Sequence, residues 1–279
     1  MKKMMRIGLI LLVVGTLGTI LSLVVFDINP KGLFNIGPDF RPQISTTNNS
    51  HSVKENLNSF DSLDIDVDLA DISIVKGDQY AIEVTECKGC PYTLTYSVQG
   101  STLTLKLIVH KYFVKTFDTP KIIITTMEDL GQVNIDSDVG TINISNTNID
   151  QLVVDNDVSD ILIRNCNVNF AEVESSVGNI DIDGTFETLK IESDVGNSYF
   201  KGQARHLEIE SDLGKVDATI LDSQDAYHIK AKTDLGSLSI NGQKQNGFDN
   251  TFESNPSLED IKSIEISNNL GDITLKFMP

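Results

Sequence analysis

Tryptophan is absent and aromatic residues make up only 6% of the 279-residue chain, so its core must be built from Ile, Val and Leu, which favour strands. Cysteine is nearly absent too. Cys87, Cys90 and Cys166 are too few for a disulfide scaffold. Cys87-Lys-Gly-Cys90 has the spacing of a small disulfide loop, a redox pair or half a metal site, but no second CxxC or histidine pair accompanies it. The plain reading is a turn carrying two thiols, open to oxidation outside the cell. His51, His110, His206 and His228 are scattered, and no phosphate loop, HExxH or Ser-His-Asp order is present. The sequence therefore offers no catalytic, cofactor-binding or metal-binding residue, and predicts no enzyme.

Basic residues are also scarce, with 22 Lys and Arg against 40 Asp and Glu and a net charge of -18. Lys2, Lys3 and Arg6 precede residue 27 and no acid does, which leaves 19 basic and 40 acidic groups downstream, or -21. A domain that acidic repels nucleic acid and anionic headgroups, so nucleic acid is not an expected partner.

The exception to all this polarity is Ile7–Phe26, twenty residues without a charge. As a helix rising about 1.5 Å per residue it spans roughly 30 Å, the thickness of the hydrocarbon layer. The preceding Lys2, Lys3 and Arg6 place the N-terminus in the cytoplasm and everything after Asp27 outside. A cleaved signal peptide is the competing reading, but the run is long for one and no Ala-x-Ala-like site follows. Residues 1–26 thus read as a cytoplasmic stub and transmembrane anchor of a single-pass cell-membrane protein, and the membrane is its one expected partner of known kind. Residues 27–59, rich in Asn, Ser, Thr, Pro and Gly, read as a flexible linker.

Residues 60–279 carry a repeat. It runs SDVGTINI (137–144), NDVSDILI (156–163), SSVGNIDI (175–182), SDVGNSYF (193–200), SDLGKVDA (211–218), TDLGSLSI (233–240) and NNLGDITL (268–275), with VDLADISI (67–74) as an early copy. Setting the central Val or Leu as position 0, apolar residues recur at -6, -4, 0, +3 and +5. Across eight copies 39 of these 40 positions are apolar, Ser198 being the exception, where a 40% apolar background gives about 16. The period-two spacing on either side of zero predicts two short half-buried strands per copy. The odd step from 0 to +3 predicts a corner, at which +1 is Gly in six copies, Ala70 in one and Ser159 in one. The side chains at -1, mostly Asp, suit hydrogen bonding to the backbone of that corner.

Two strands, a corner and a return in 18–20 residues predict an all-β fold, a right-handed parallel β-helix or β-solenoid, with all five apolar positions facing inward. A leucine-rich repeat has a similar period, but its LxxLxLxxN pattern is missing. Residues 75–132 read as an irregular cap, with a hairpin of YTLTYSV (92–98) and TLTLKLIV (102–109) and a strand at 121–126. The polar stretch 241–260 reads as a protruding loop.

The phrase DISIVKGDQYAIEVTE (71–86), followed by the S-D-V-G-x-I ladder, resembles the bacterial "putative adhesin" family of β-strand-repeat proteins, a domain of unknown function. The resemblance covers roughly 60–279. It implies a surface-exposed module, often membrane-tethered and sometimes linked to envelope stress, with no residue roles to carry over.

Stacked copies line Asp138, Asp157, Asp194, Asp212 and Asp234 along one edge, interrupted by Ser176. Calcium, which takes six to eight oxygen ligands, is one use for such a ladder; capping of each corner by its own aspartate is the simpler one. Outward positions include Glu172, Glu174, Glu192, Glu208 and Glu210 with Lys190, Lys230 and Lys232, a pattern of cross-rung pairing. Val153 and Leu162 are expected on the surface and Cys166 in a return turn, as an inert thiol.

The function predicted is a non-enzymatic cell-surface module for binding or scaffolding, recognising an envelope component, glycan or protein. The alternative is a carbohydrate-active β-helix enzyme acting on a surface polysaccharide through two carboxylates in a groove. Self-assembly is a third possibility, through an uncapped last rung at Leu270–Phe277.

Overall fold

The computed structural model describes residues 50–87, 92–110, 119–254 and 262–279. The predicted membrane segment, the linker up to residue 49 and Cys90 of the CxxC pair lie outside the described residues. Among those described, no helix is long and apolar enough to cross a membrane.

The strands begin with β1 (Ser50–Asn56), β2 (Ser62–Val67), β3 (Asp71–Lys76), β4 (Ala81–Cys87), β5 (Tyr92–Gln99), β6 (Thr102–Val109) and β7 (Lys121–Thr126). They continue as β8 (Leu130–Val139), β9 (Ile142–Ser145), β10 (Asn148–Val158), β11 (Ile161–Val177), β12 (Ile180–Val195), β13 (Ser198–Leu213) and β14 (Val216–Ile220). Last come β15 (Tyr227–Ile240), β16 (Gln243–Ser254), β17 (Lys262–Leu270) and β18 (Ile273–Phe277). All belong to one sheet.

The repeat produces the predicted parallel solenoid. Each copy stacks in register on the next, Ile161 on Ile180 and Val173 on Ile191, and the backbone ladder continues round the corner through Gly178 N–H to the Val195 carbonyl at 2.9 Å. Positions -6, -4, +3 and +5 are buried in one continuous Ile-, Val- and Leu-rich core, as at Leu152, Val154, Ile161 and Ile163. Even Ser198, the polar exception, points inward.

Position 0 does not. Val139 is 36% exposed and Val177 44%, and the other members of the column are half-buried. The inward place before the corner belongs to -2, filled by Ser137, Asn156, Ser175, Ser193, Ser211 and Thr233, all buried. The period-two alternation runs on from -6 and -4 to -2, and the chain then turns at +1, which leaves both -1 and 0 on the outside of the bend. Small side chains suit the inside of a tight corner, and the larger two of the six bond its carbonyls. Asn156 Nδ2 donates to the Ser159 oxygen at 3.0 Å, and Thr233 Oγ1 to the Gly271 oxygen at 2.9 Å.

At the glycine corners the backbone of the adjacent rung leaves no space for a Cβ. Gly196 adopts φ 154°, and a Cβ there would overlap the carbonyl of Gly178 one rung away. Ala70 belongs to the first rung, whose outer neighbours are β6 and β7. Ser159 holds φ 141° without being glycine.

The ends are not stacked in chain order. The first rung, β2 and β3, lies between β6/β7 on one side and β8/β9 on the other. The last rung, β17 and β18, is likewise inserted, between β13/β14 and β15. Antiparallel strands then cover the outer rungs: β5 on β6, β4 on β7, and β16 on β15. The predicted hairpin and the strand at 121–126 are therefore present, as β5, β6 and β7.

Three expectations change. Residues 50–56, taken as the end of the linker, form β1 against β4. Gln243–Ser254 is a strand, not a protruding loop; it reads as polar because it is exposed along most of its length and, among the described residues, pairs only with β15, so no apolar alternation is needed. Leu270–Phe277 is an interior rung with partners on both sides, so it offers no uncapped end.

Candidate interaction surface

The outer face of the -6 to 0 strands concentrates the charge. Position -3 presents Asp66, Asp136, Asp155, Glu174, Glu192 and Glu210 on six consecutive rungs, each paired in register with the next. Two residues away, position -1 adds Asp68, Asp138, Asp157, Asp194 and Asp212 on the same rungs, broken by Ser176. Rungs are about 4.8 Å apart, a separation at which two like charges repel by about 1 kcal/mol even in bulk water. Beyond the -3 column lie Lys106, which bonds Asp66 at one end, and Ser267 followed by Lys232 at the other.

The electrostatics bear this out. Partial desolvation raises the pKa of Asp138 above the usual carboxylate range, and Asp68 and Asp157 raise it further. Asp155 is raised by desolvation and then by Asp136, Glu174 by desolvation and then Glu192, and Asp194 by desolvation and then Asp212. These four shifts run in one direction.

The aspartate edge expected from the sequence exists, but Asn269 separates Asp212 from Asp234 because the last rung is inserted there. Nor do these aspartates generally cap their corners. That task falls to +2, where a side chain accepts from the backbone N–H of the next rung: Asp160 Oδ1 from Asn179 at 2.8 Å, Asn179 Oδ1 from Asn197 at 3.1 Å, Asn197 Oδ1 from Lys215 at 3.0 Å. Within the -1 column Asp68 accepts a backbone bond, from Val109 N–H at 2.7 Å. Asp138, Asp157 and Asp194 are left facing outward as bare carboxylates.

One group of described residues has the spacing of a metal site. Glu172, Glu174 and Glu192 bring carboxylate oxygens within 4.8 Å of one another. Lys190 already supplies the cation: its Nζ lies 3.2 Å from Glu172 Oε1 and also bonds Glu192, and these two bonds hold the ammonium pKa above its ordinary value. The cross-rung pairing expected of Lys190 and Lys230 is thus present, the latter with Glu265. Sign alternation at -5 masks the unbroken acidic column at -3, two residues further along each copy.

Beside the carboxylates runs the misread apolar column. Val139, Val158, Val177, Val195, Leu213 and Leu270 stack in register over six rungs, and Leu235 continues the line to Phe248, which is 78% exposed. Val153 is on the surface as expected. Cys166 follows the irregularity in β11 at Arg164 and is buried, its thiol 3.3 Å from the Arg164 carbonyl and its pKa raised by burial, an environment that keeps it inert. His110 and His206 are exposed.

The fold and its outward columns define a repeat module of the parallel β-solenoid class. The chain belongs to the Toastrack DUF4097 family, whose model matches residues 60–199 and again 124–276. No curated protein matches it. Among solved structures it is similar to a "putative adhesin" of Bacteroides fragilis, at 17% identity over 83% of this chain and 98% of that one, TM-score 0.45. It is also similar to a "putative cell adhesion protein" of Clostridium sporogenes, at 12% over 82% and 99%, TM-score 0.38. A third is a "putative lipid binding protein" of Parabacteroides distasonis, at 14% over 83% and 94%, TM-score 0.32.

Proposed function

We propose that this chain is a non-enzymatic binding module of the cell surface, tethered by Ile7–Phe26 with its N-terminus in the cytoplasm and its solenoid outside. The observation that carries the reading is the outer face itself: columns of outward carboxylates beside an apolar line, set on a regularly stacked interior. A repeat surface of this kind recognises an extended partner by adding small contributions rung by rung. The names given to its structural neighbours, adhesins and a lipid-binding protein, agree with binding rather than turnover. Anionic lipid is a poor ligand for a face of this charge.

The test is cross-linking of the full chain on intact cells, followed by membrane fractionation and capture. The expected result is a chain retained in membranes after alkaline extraction, accessible to added protease and linked to a specific envelope component. Substituting the -3 column with Asn and Gln should abolish that link. A chain recovered in the cytosol, or a link unaffected by the substitutions, overturns the reading.

A further inference from the structure

Resting on the binding-module reading, we infer that the Val/Leu column and the carboxylates beside it form a docking strip for an amphipathic helix, one with a single apolar stripe and Lys or Arg along its flank. Val139, Val158, Val177, Val195, Leu213 and Leu270 are the only outward positions in the repeat that stay aliphatic in every copy. The interior does not require this, because -6, -4, -2, +3 and +5 fill it. Outward positions at -3, -1 and +2 are dominated by Asp, Glu, Asn, Ser and Thr, so position 0 departs from its surroundings in one consistent direction.

The repeat distance favours a helix as occupant. Rungs recur about every 4.8 Å, and a helix laid along the solenoid axis presents one apolar side chain per turn, about every 5.4 Å. Over these six rungs, roughly 24 Å, the mismatch accumulates to only about 3 Å, within the reach of a leucine or lysine side chain. An extended strand laid the same way repeats on one face about every 6.7 Å and falls out of step after two residues. Charge selects the flank. On the -1 and -3 side the helix meets an almost unbroken acidic band, which Lys and Arg complement. A second copy of this chain would set acid against acid, and an anionic membrane would do the same.

The probe is a synthetic peptide of about 18 residues with Leu on one stripe and Lys beside it, compared with the same composition scrambled so that no stripe forms. Binding is read by fluorescence anisotropy to the full chain in zwitterionic nanodiscs, with empty discs subtracted. The striped peptide should bind about tenfold or more tightly than the scrambled one. The combined substitutions Val139→Thr, Val177→Thr and Val195→Thr, which keep β-branching, should weaken it about tenfold with little change in melting temperature. Glu174→Gln with Glu192→Gln should weaken both peptides and flatten the salt dependence. Equal binding of the two peptides overturns the inference. So does a triple variant that binds like the parent, or a single Val177→Thr variant that does so if the triple variant does not fold. None of these results touches the binding-module reading, which the envelope capture decides separately.

Discussion

The carbonyl oxygen of Gly178 occupies the space into which a Cβ on Gly196 would project. The same relation recurs between Gly196 and Gly214 and between Gly214 and Gly271, so neighbouring corners nest backbone on backbone along the length of the stack.

Gly196→Ala should therefore cost about 3 kcal/mol or more, since it combines a disallowed φ with a clash that only the main chain can relieve. Ser159→Gly runs the other way. Ser159 adopts a backbone conformation reserved almost entirely for glycine, and relieving it should stabilise the fold by about 1 kcal/mol after the greater flexibility of glycine in the unfolded chain is subtracted. Chemical denaturation of the two variants against the parent measures both.

The inside of the corner yields a second contrast. Asn268 Nδ2 donates to the Gly214 oxygen at 2.8 Å while its Oδ1 accepts from Leu270 N–H at 3.1 Å. Asn268→Ala should cost about 2 kcal/mol by leaving these buried groups unpaired. The Ser193 hydroxyl is equally buried but has no partner among the described residues, so Ser193→Ala should be neutral or stabilising. Urea midpoints that move together for the two would refute the distinction.

Acidity should stabilise this protein before it harms it. Asp138, Asp155, Glu174 and Asp194 have folded pKa values raised by desolvation and by one another, so the folded chain binds more protons than the unfolded one between the two values. Stability then rises as pH falls through that interval. Asp129, Asp222 and Asp272 are lowered, chiefly by hydrogen bonds from Asn148, Lys262 and Ser237 respectively, and their contribution is lost below the unfolded value near 4. Melting temperature should pass through a maximum between about pH 4 and 6; a steady climb from pH 4 to 7 would contradict this.

Lys190 holds Glu172 and Glu192 together across a rung. Lys190→Ala should destabilise by about 1 kcal/mol at low salt and less at about 150 mM, where screening takes over. In the parent protein calcium should shift the melt no more than sodium at matched ionic strength. A larger calcium shift would restore the idea of a metal-bridged ladder.

Much of this architecture was legible because period two is a local signal. Ile161 and Ile163, or Leu63 and Ile65, announce their inward faces within three residues. Position 0 was misread because its apolar character was equated with burial. The better cue was -2, where Val67, Ser137, Asn156 and Ser193 are small or uncharged between two acidic columns. The insertion of β17 between β13 and β15 was not legible, since every rung carries nearly the same pattern and local spacing does not encode which rung is whose neighbour. Nor could polar Gln243–Ser254 declare itself a strand when most of its side chains are exposed.

Both chain ends of the solenoid are locked into penultimate layers, while the layers from β10 to β13 simply follow one another. Length is therefore an adjustable quantity in the middle and a fixed one at the tips. Duplicating the 18 residues 177–194 in place should yield a protein one layer, about 4.8 Å, taller, with both lids untouched. A lineage could tune the height of this stack without redesigning either extremity.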